Sequence, residues 1–128
     1  MSGSKVDKVL VVDDSGTARM IIIQCMQIAG LRDSQFFEAK NGMEALKIVA
    51  KEDPDLIVTD INMPVMDGRQ FLISLQHNGV PLVQTIVISS LHNDIVVAEL
   101  KELGAAYVLR KPVNPAAILE ALTAVNII

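Results

Sequence analysis

Five polar residues stand where short apolar runs of this sequence stop, and their types suit phosphoryl chemistry. They are Asp13, Asp14, Asp60, Ser89 and Lys111. Clustered carboxylates repel one another, and a divalent cation relieves that repulsion. Oxygen ligands suit Mg²⁺, and an aspartate beside bound Mg²⁺ can attack phosphorus to form an acyl phosphate. Such a site also needs groups that balance the phosphoryl oxygens, for which Lys111 and Ser89 are candidates.

The elements that must position these residues follow a β-α repeat. Five short apolar runs, predicted as strands, cover residues 9–12, 35–39, 56–59, 85–89 and 107–110. Each is followed by apolar residues at helical spacing. Strands joined by helices run parallel, and a sheet covered on both faces has continuous apolar strands. We therefore predict an α/β fold: a doubly wound five-stranded parallel sheet with five helices, the more polar second strand at an edge.

Two helix starts and one apolar stripe are predicted in more detail. Asn114 and the proline after it are typical of an N-cap followed by the first helical residue, so a helix should begin there. Asp67 and the glycine after it indicate a turn, with Asp67 opening the third helix outside the site. The first helix should bury a stripe through Ala18, Ile22, Cys25 and Ile28-Ala29, with Cys25 packing as a small hydrophobe.

In a doubly wound sheet, ligands bind outside the carboxyl ends of the strands. Taken singly, each polar residue has a simpler explanation. Asp13 and Asp14 could form a turn that caps a helix, Ser89 could be an ordinary strand-end hydroxyl, and Lys111 a solvated lysine. Their joint arrival at the ends of alternating strands favours a shared site, and Asp60 would be delivered to it by a rigid strand.

Composition excludes several other classes of protein. The 128 residues fit one domain, and the 51% apolar content is enough for a real core. A net charge of −4, without a basic cluster, argues against a nucleic-acid binder. The start MSGSKVDK has no apolar signal region, and no apolar run is long enough to span a bilayer. We expect a cytoplasmic protein that uses neither nucleic acid nor membrane.

The motifs around these residues resemble the receiver domain of two-component response regulators. They are VVDDS at residues 11–15, TDINMPVMDG at 59–68, VISS at 87–90 and RKP at 110–112. The intervals from Asp14 to Asp60, Asp60 to Ser89 and Ser89 to Lys111 are 46, 29 and 22 positions, as is usual in the family. The resemblance runs from residue 9 to about 125. It is greatest to single-domain chemotaxis regulators and implies the flavodoxin-like strand order 2-1-3-4-5.

The resemblance implies a role for each site residue. Asp60 would be the phosphoacceptor, Ser89 the switch hydroxyl and Lys111 the phosphate-pairing lysine, followed by a cis X-Pro bond. Mg²⁺ would be held by four residues, with Asp14 binding directly, Asp13 mainly through water, and Asn62 through its backbone carbonyl. The four are Asp13, Asp14, Asp60 and Asn62.

Several positions depart from the family pattern, and two of them bear on how the switch would work. Its members often carry, three residues before the lysine, an aromatic that rotates inward on activation; here that position is Val108. Tyr107 is one residue earlier and faces the opposite side of a strand unless a bulge shifts it. Leu91, two residues after Ser89, is apolar and cannot orient an attacking water. We therefore expect slow self-hydrolysis of the phosphoryl group.

The function implied is a phosphorylation-activated switch, most consistent with chemotaxis. A histidine kinase would donate the phosphoryl group, and a phosphatase is a possible further partner. A downstream protein would bind the fourth helix, fifth strand and fifth helix, including residues 94–103 and 115–125. The domain would span residues 1–128 as a monomer or weak dimer. It would catalyse only its own phosphorylation and dephosphorylation.

Three alternatives stay open at this point. The chain could be a receiver detached from a larger regulator or hybrid kinase. A remote alternative is a Mg²⁺-dependent phosphatase with an aspartyl-phosphate intermediate, but its usual general acid falls at Asn62, an amide. A receiver that works without phosphorylation is disfavoured by the complete set of site residues. The apolar end of the chain, residues 126–128, could pack on the domain's own core or form a contact surface.

Overall fold

The computed structural model describes residues 6–77 and 83–127 of the chain. Strands and helices alternate strictly along them. The strands are β1 Lys8–Val12, β2 Gln35–Ala39, β3 Leu56–Asp60, β4 Gln84–Ser89 and β5 Tyr107–Arg110. The helices are α1 Gly16–Ile28, α2 Gly42–Glu52, α3 Gly68–His77, α4 Asp94–Glu102 and α5 Pro115–Ala124. The predicted end of the third helix, at Asn78-Gly79, lies outside the described residues.

The strands form one parallel sheet in the order β2-β1-β3-β4-β5, which confirms the predicted fold and order. The strand β3 lies at its centre and is buried along its whole length. The strand β2 lies at an edge, as its polar sequence predicted, and is only partly covered. Helices α1 and α5 pack on one face, while α2, α3 and α4 pack on the other. Because all five strands are parallel, their carboxyl ends lie along the same edge of the sheet, which we call the rim.

The helices begin at that same rim because capping residues follow the strands. Side chains of Ser15, Asn41, Asn93 and Asn114 each accept a hydrogen bond from a backbone N–H in the first turn of the next helix. The predicted start of α5 at Asn114 is thus confirmed. Asp67 opens α3 as predicted, in a reciprocal pair of hydrogen bonds with Gln70. The capping groups close the loops of the rim without using the predicted site residues.

The predicted apolar stripe of α1 is wrong at Ile28, whereas Ala29 is partly buried against the core as predicted. Ile28 is 65% exposed, whereas Met26, which the prediction left out, is fully buried beside Ile22 and Cys25. At about 100° per residue, position 28 lies about 120° around the helix from position 22. Position 26 lies within about 40° of it. The face that meets the sheet therefore contains residues 22, 25 and 26, and the prediction for Cys25 is confirmed.

The loop between β3 and α3 contains a strained residue. Val65 has φ +68°, in the left-handed region, and is 78% exposed, while the N–H of Met66 donates across it to the carbonyl of Pro64. A β-branched residue is strongly disfavoured there, and the strain costs about 1–3 kcal/mol. Neither burial of its side chain nor a regular element offsets this cost.

We expect Val65→Gly to raise the free energy of unfolding by about 1 kcal/mol. Release of strain outweighs the entropy that glycine adds to the unfolded chain, which is about 0.5–1 kcal/mol. Urea denaturation of the two proteins measures the difference. Val65→Ala, which loses the branch but keeps Cβ, should gain less. A loss of stability in the glycine variant would show that Val65 is not strained in solution.

Candidate functional site

The structure brings the three predicted aspartates together at the rim. Asp60 is the last residue of β3 and Asp13 follows the neighbouring strand β1, so adjacent parallel strands place their carboxylates side by side. One carboxylate oxygen from each of Asp13, Asp14 and Asp60 lies within 4.8 Å of the others. Asp13 and Asp60 are 4% and 6% exposed, whereas Asp14 is exposed. Two carboxylates of the cluster are therefore buried, and the third faces solvent.

Local hydrogen bonds hold Asp13 in place. Its Oδ1 accepts the N–H of Ser15 at 2.9 Å, and its own N–H donates to the Ala39 carbonyl at 3.0 Å. Arg19 donates to the Asp13 carbonyl at 2.6 Å while pairing with Glu38 at 2.8 Å. Burial raises the pKa of Asp13; the Ser15 hydrogen bond opposes this shift, and nearby Asp60 adds to it. Holding these carboxylates close together in a partly buried site therefore makes ionisation of Asp13 less favourable than in water.

The donor set fits a magnesium ion. It offers carboxylate oxygens alone, two of them from buried residues, with one exposed side from which a hydrated ion can enter. Asn62, whose backbone carbonyl was predicted as a ligand, lines the same cavity as Asp60. Burial is the main cause of the raised pKa of Asp13, and the neighbouring carboxylates of Asp60 and Asp14 add to it, so a cation bound among them would relieve this repulsion.

Lys111 reaches the predicted phosphoacceptor directly. Its Nζ lies 3.1 Å from Asp60 Oδ1, and the N–H of Ile61 donates to the same oxygen at 2.9 Å. The lysine follows β5 and its cis bond to Pro112, which was also predicted. Two donors on one oxygen orient the Asp60 carboxylate within the rim, and the lysine remains 40% exposed.

Ser89, the predicted switch hydroxyl, is held by its own loop. Its Oγ donates to the Leu91 carbonyl at 2.7 Å and accepts the Leu91 N–H at 3.1 Å. It nevertheless lines, together with Asp60, a cavity of about 80 Å³. To donate to a group bound on Asp60, the hydroxyl would have to leave the Leu91 carbonyl. Sequence reasoning did not foresee this competing bond.

The aromatic position of β5 is filled by a small apolar side chain. Val108 is 4% exposed and packs beneath α4 with Val87 and Leu100. Register between β4 and β5 is continuous, so no bulge moves Tyr107 onto that face. Tyr107 instead packs on the α1 and α5 side, where burial and neighbouring Glu120 raise its pKa. Tyr107 therefore does not take the place of the family's aromatic.

Sequence reasoning missed Arg69. This residue lies in the first turn of α3 and lines the same cavity as Asp60 and Ser89. Its guanidinium contacts Glu99 of α4 at 2.9 Å, and that contact raises its pKa. The only sequence signal was its place directly after the Asp67-Gly68 turn. The turn places Arg69 beside the end of β3, because the Gly68 N–H donates to the Ile61 carbonyl at 2.8 Å.

We expect Asp13→Asn to stabilise the metal-free protein. Because the folded-state pKa of Asp13 lies above its ordinary value of 3.8, ionising this group costs folding free energy. The free energy of unfolding of the wild type should therefore fall as pH rises from about 4 through the raised pKa of Asp13. The variant has no carboxyl group to ionise at this position and should not show this fall. Thermal unfolding in EDTA between pH 4 and 7 measures the gap, which should widen with pH. A constant gap would contradict the assignment, and added Mg²⁺ should stabilise the wild type more than the variant.

Comparisons with known proteins agree with this architecture. The family model described as "Response regulator receiver domain" matches residues 9–123. The chemotaxis protein CheY of Thermotoga maritima is 32% identical over 119 residues, covering 93% of this chain and 97% of that protein. Protein-glutamate methylesterase/protein-glutamine glutaminase 3 of Hahella chejuensis is 36% identical over 108 residues. That match covers 84% of this chain but only 30% of the relative's length.

A solved structure gives the same picture. The chemotaxis response regulator CheY4 of Vibrio cholerae superposes with a TM-score of 0.83 at 32% identity, over 94% of this chain and 99% of that one. The chain therefore belongs to the response regulator receiver domain family of two-component signalling, and CheY proteins are among the relatives that it matches over nearly their whole length. Within the described residues, no helix is both long and apolar enough to cross a membrane.

Proposed function

We propose that this chain is a single receiver domain that works as a phosphorylation-activated switch, with Asp60 as phosphoacceptor. The observation that carries the proposal is the position of Asp60: a buried carboxylate at the end of the central strand, 3.1 Å from Lys111 and clustered with two further aspartates. A nucleophile on a rigid strand is oriented before the donor arrives, which favours in-line transfer.

The phosphoryl group would pass from a kinase phosphohistidine to Asp60 by direct displacement. A carboxylate oxygen of Asp60 attacks the phosphorus of a kinase phosphohistidine, a P–O bond forms, and the P–N bond breaks. The electron pair of that bond returns to the imidazole. Mg²⁺ held by Asp13, Asp14, Asp60 and the Asn62 carbonyl would neutralise charge on the phosphoryl oxygens. Lys111, already at Asp60, pairs with a phosphoryl oxygen, and the Ser89 hydroxyl hydrogen-bonds another.

A downstream protein would bind the surface formed by α4, β5 and α5, which we call the partner face. Recruitment of Ser89 removes its bond to the Leu91 carbonyl, so the loop that leads into α4 changes partners. This biases a pre-existing equilibrium between two loop states. A downstream protein that binds one state better is then regulated by the phosphoryl group. CheY-like relatives support a target in chemotaxis.

Intact-mass spectrometry after incubation with acetyl phosphate tests this function. The wild type should gain one phosphoryl group with Mg²⁺ and none in EDTA, and decay of the adduct should be slow because Leu91 cannot orient water. If no adduct forms, beryllofluoride titration by calorimetry separates rapid turnover from a lack of binding. Absence of both the adduct and Mg²⁺-dependent beryllofluoride binding would overturn the proposal.

One alternative within the family has specific support. The Hahella chejuensis relative is far longer than this chain, so the same domain also occurs joined to other parts. A receiver belonging to a larger regulator would show the same phosphorylation chemistry but a different downstream partner. The Mg²⁺-dependent phosphatase has weaker support because Asn62 lacks an acidic proton. Steady release of phosphate from added phosphomonoesters would favour it.

A further inference from the structure

Arg69 occupies a position from which a cation can serve the phosphoryl site. It lines the cavity of about 80 Å³ that Asp60, Ser89 and Leu91 also line. The residue before it, Gly68, donates its N–H to the Ile61 carbonyl at 2.8 Å. The first turn of α3 therefore lies against the end of β3, directly beside the phosphoacceptor.

The present partner of Arg69 stands on α4. Its Nη2 lies 2.9 Å from Glu99 Oε1, and both side chains are partly exposed, at 37% and 48%. Val96, one turn earlier on α4, lines the same cavity. Residues three apart share a helix face, so the ion pair joins α3 to α4 on the side of α4 that borders the cavity. Because the pair is solvated, exchanging one anionic partner for another costs little.

We infer that Arg69 is a second phosphoryl-binding cation, and that it leaves Glu99 when Asp60 is phosphorylated. This inference rests on the proposed function and adds a residue and a regulatory contact to it. A phosphoryl group brings about two negative charges to Asp60, whose carboxylate already has one cation, Lys111, at 3.1 Å. A guanidinium presents a planar fork of donors that suits phosphate oxygens better than a solvated carboxylate.

Release of Glu99 would connect the site to the partner face. The Arg69–Glu99 ion pair joins α3 to α4, and Glu99 lies within the α4 part of the partner face. When Arg69 exchanges partners, α4 loses its tie to α3 at Glu99. The loop after Ser89 changes at the same time, at the N-terminal end of α4. The buried Val108 below α4 cannot supply the aromatic rotation used elsewhere in the family. Arg69 offers this chain a different route between the phosphoryl group and α4.

Beryllofluoride, a phosphoryl mimic, tests the inference on the intact chain at saturating Mg²⁺. Calorimetry would compare the wild type with Arg69→Gln, Glu99→Gln and the double variant. Arg69→Gln should weaken beryllofluoride binding about fivefold to tenfold, because a charge-assisted contact is lost. Glu99→Gln should tighten it about twofold to fivefold, because Arg69 no longer has a competing partner. The double variant should match Arg69→Gln.

The opposite signs distinguish phosphoryl binding from a structural role. If the ion pair only braces α3 against α4, both single variants break the same contact and shift affinity in the same direction. That result, or no change in either, would overturn the inference. Glu102→Gln removes the same charge one turn further along α4, from a carboxylate that is not the ion-pair partner of Arg69, and should leave affinity unchanged. An equal effect there would indicate long-range electrostatics instead. Failure of the wild type both to bind beryllofluoride and to form the acetyl phosphate adduct would overturn the proposed function itself.

Discussion

Asp60→Asn should abolish phosphorylation by acetyl phosphate, lowering the rate of adduct formation by at least about a thousandfold. The substitution keeps the size of a buried side chain but replaces a carboxylate nucleophile with an amide. It also removes one of the three clustered carboxylates, so binding of Mg²⁺ should weaken. Intact mass after incubation with acetyl phosphate and Mg²⁺ is the measurement, with the wild type run alongside.

The matched control is Asp67→Asn, in the same loop. Asp67 caps α3 through the Gln70 N–H, and asparagine caps a helix equally well. This variant should gain the phosphoryl group at the wild-type rate and keep its stability. An adduct that persists in Asp60→Asn would place the phosphoryl group on another residue, with Asp13 or Asp14 the first to test.

The second large effect is expected from Gly68→Ala, which should lower the free energy of unfolding by about 3 kcal/mol. A β-carbon at this position would lie 2.5 Å from the Asp60 carbonyl oxygen and 2.9 Å from the Ile61 α-carbon. Both neighbours are backbone atoms of the central strand end, so no side chain can turn away to make room. The helix α3 must move, and Asp60 with it.

A chemical consequence should accompany this loss of stability. Displacement of Asp60 relative to Lys111 disturbs the 3.1 Å contact, so acetyl phosphate should label the folded variant more slowly. Urea denaturation and intact-mass time courses measure the two effects. Wild-type values in both would show that the backbone approach between α3 and β3 is looser in solution than the structure indicates.

Gly16→Ala is the control for Gly68→Ala, because each glycine is the first residue of its helix. At Gly16 the nearest atom to an added β-carbon is the Arg19 guanidinium at 3.4 Å, an ordinary contact with a flexible side chain. Alanine favours helix over glycine, so this variant should be unchanged or more stable by up to about 1 kcal/mol. The contrast isolates the steric effect from the helix propensity.

Much of the fold followed from the sequence because its signals are local. The apolar runs of residues 56–59 and 85–89 are typical of buried strands, and every residue in both runs is buried. Cap residues such as Asn114 mark where helices begin, whatever lies around them. The covalent order β-α-β then forces parallel strands with a common carboxyl rim. Asp13, Asp60 and Lys111 were therefore predictable neighbours before any distance was known.

Only the tertiary structure decided how the groups around that rim are partnered. Ser89 bonds to Leu91, Tyr107 stays on the far face, and Ile28 faces solvent rather than the sheet. Arg69 reaches the cavity and Glu99 because α3 lies against the end of β3 and α4 stands across from it. Such contacts depend on loop path, helix rotation and packing distance, none of which is encoded by spacing along the chain. The sequence by itself determined which groups share the rim, and packing between elements decided which of them touch.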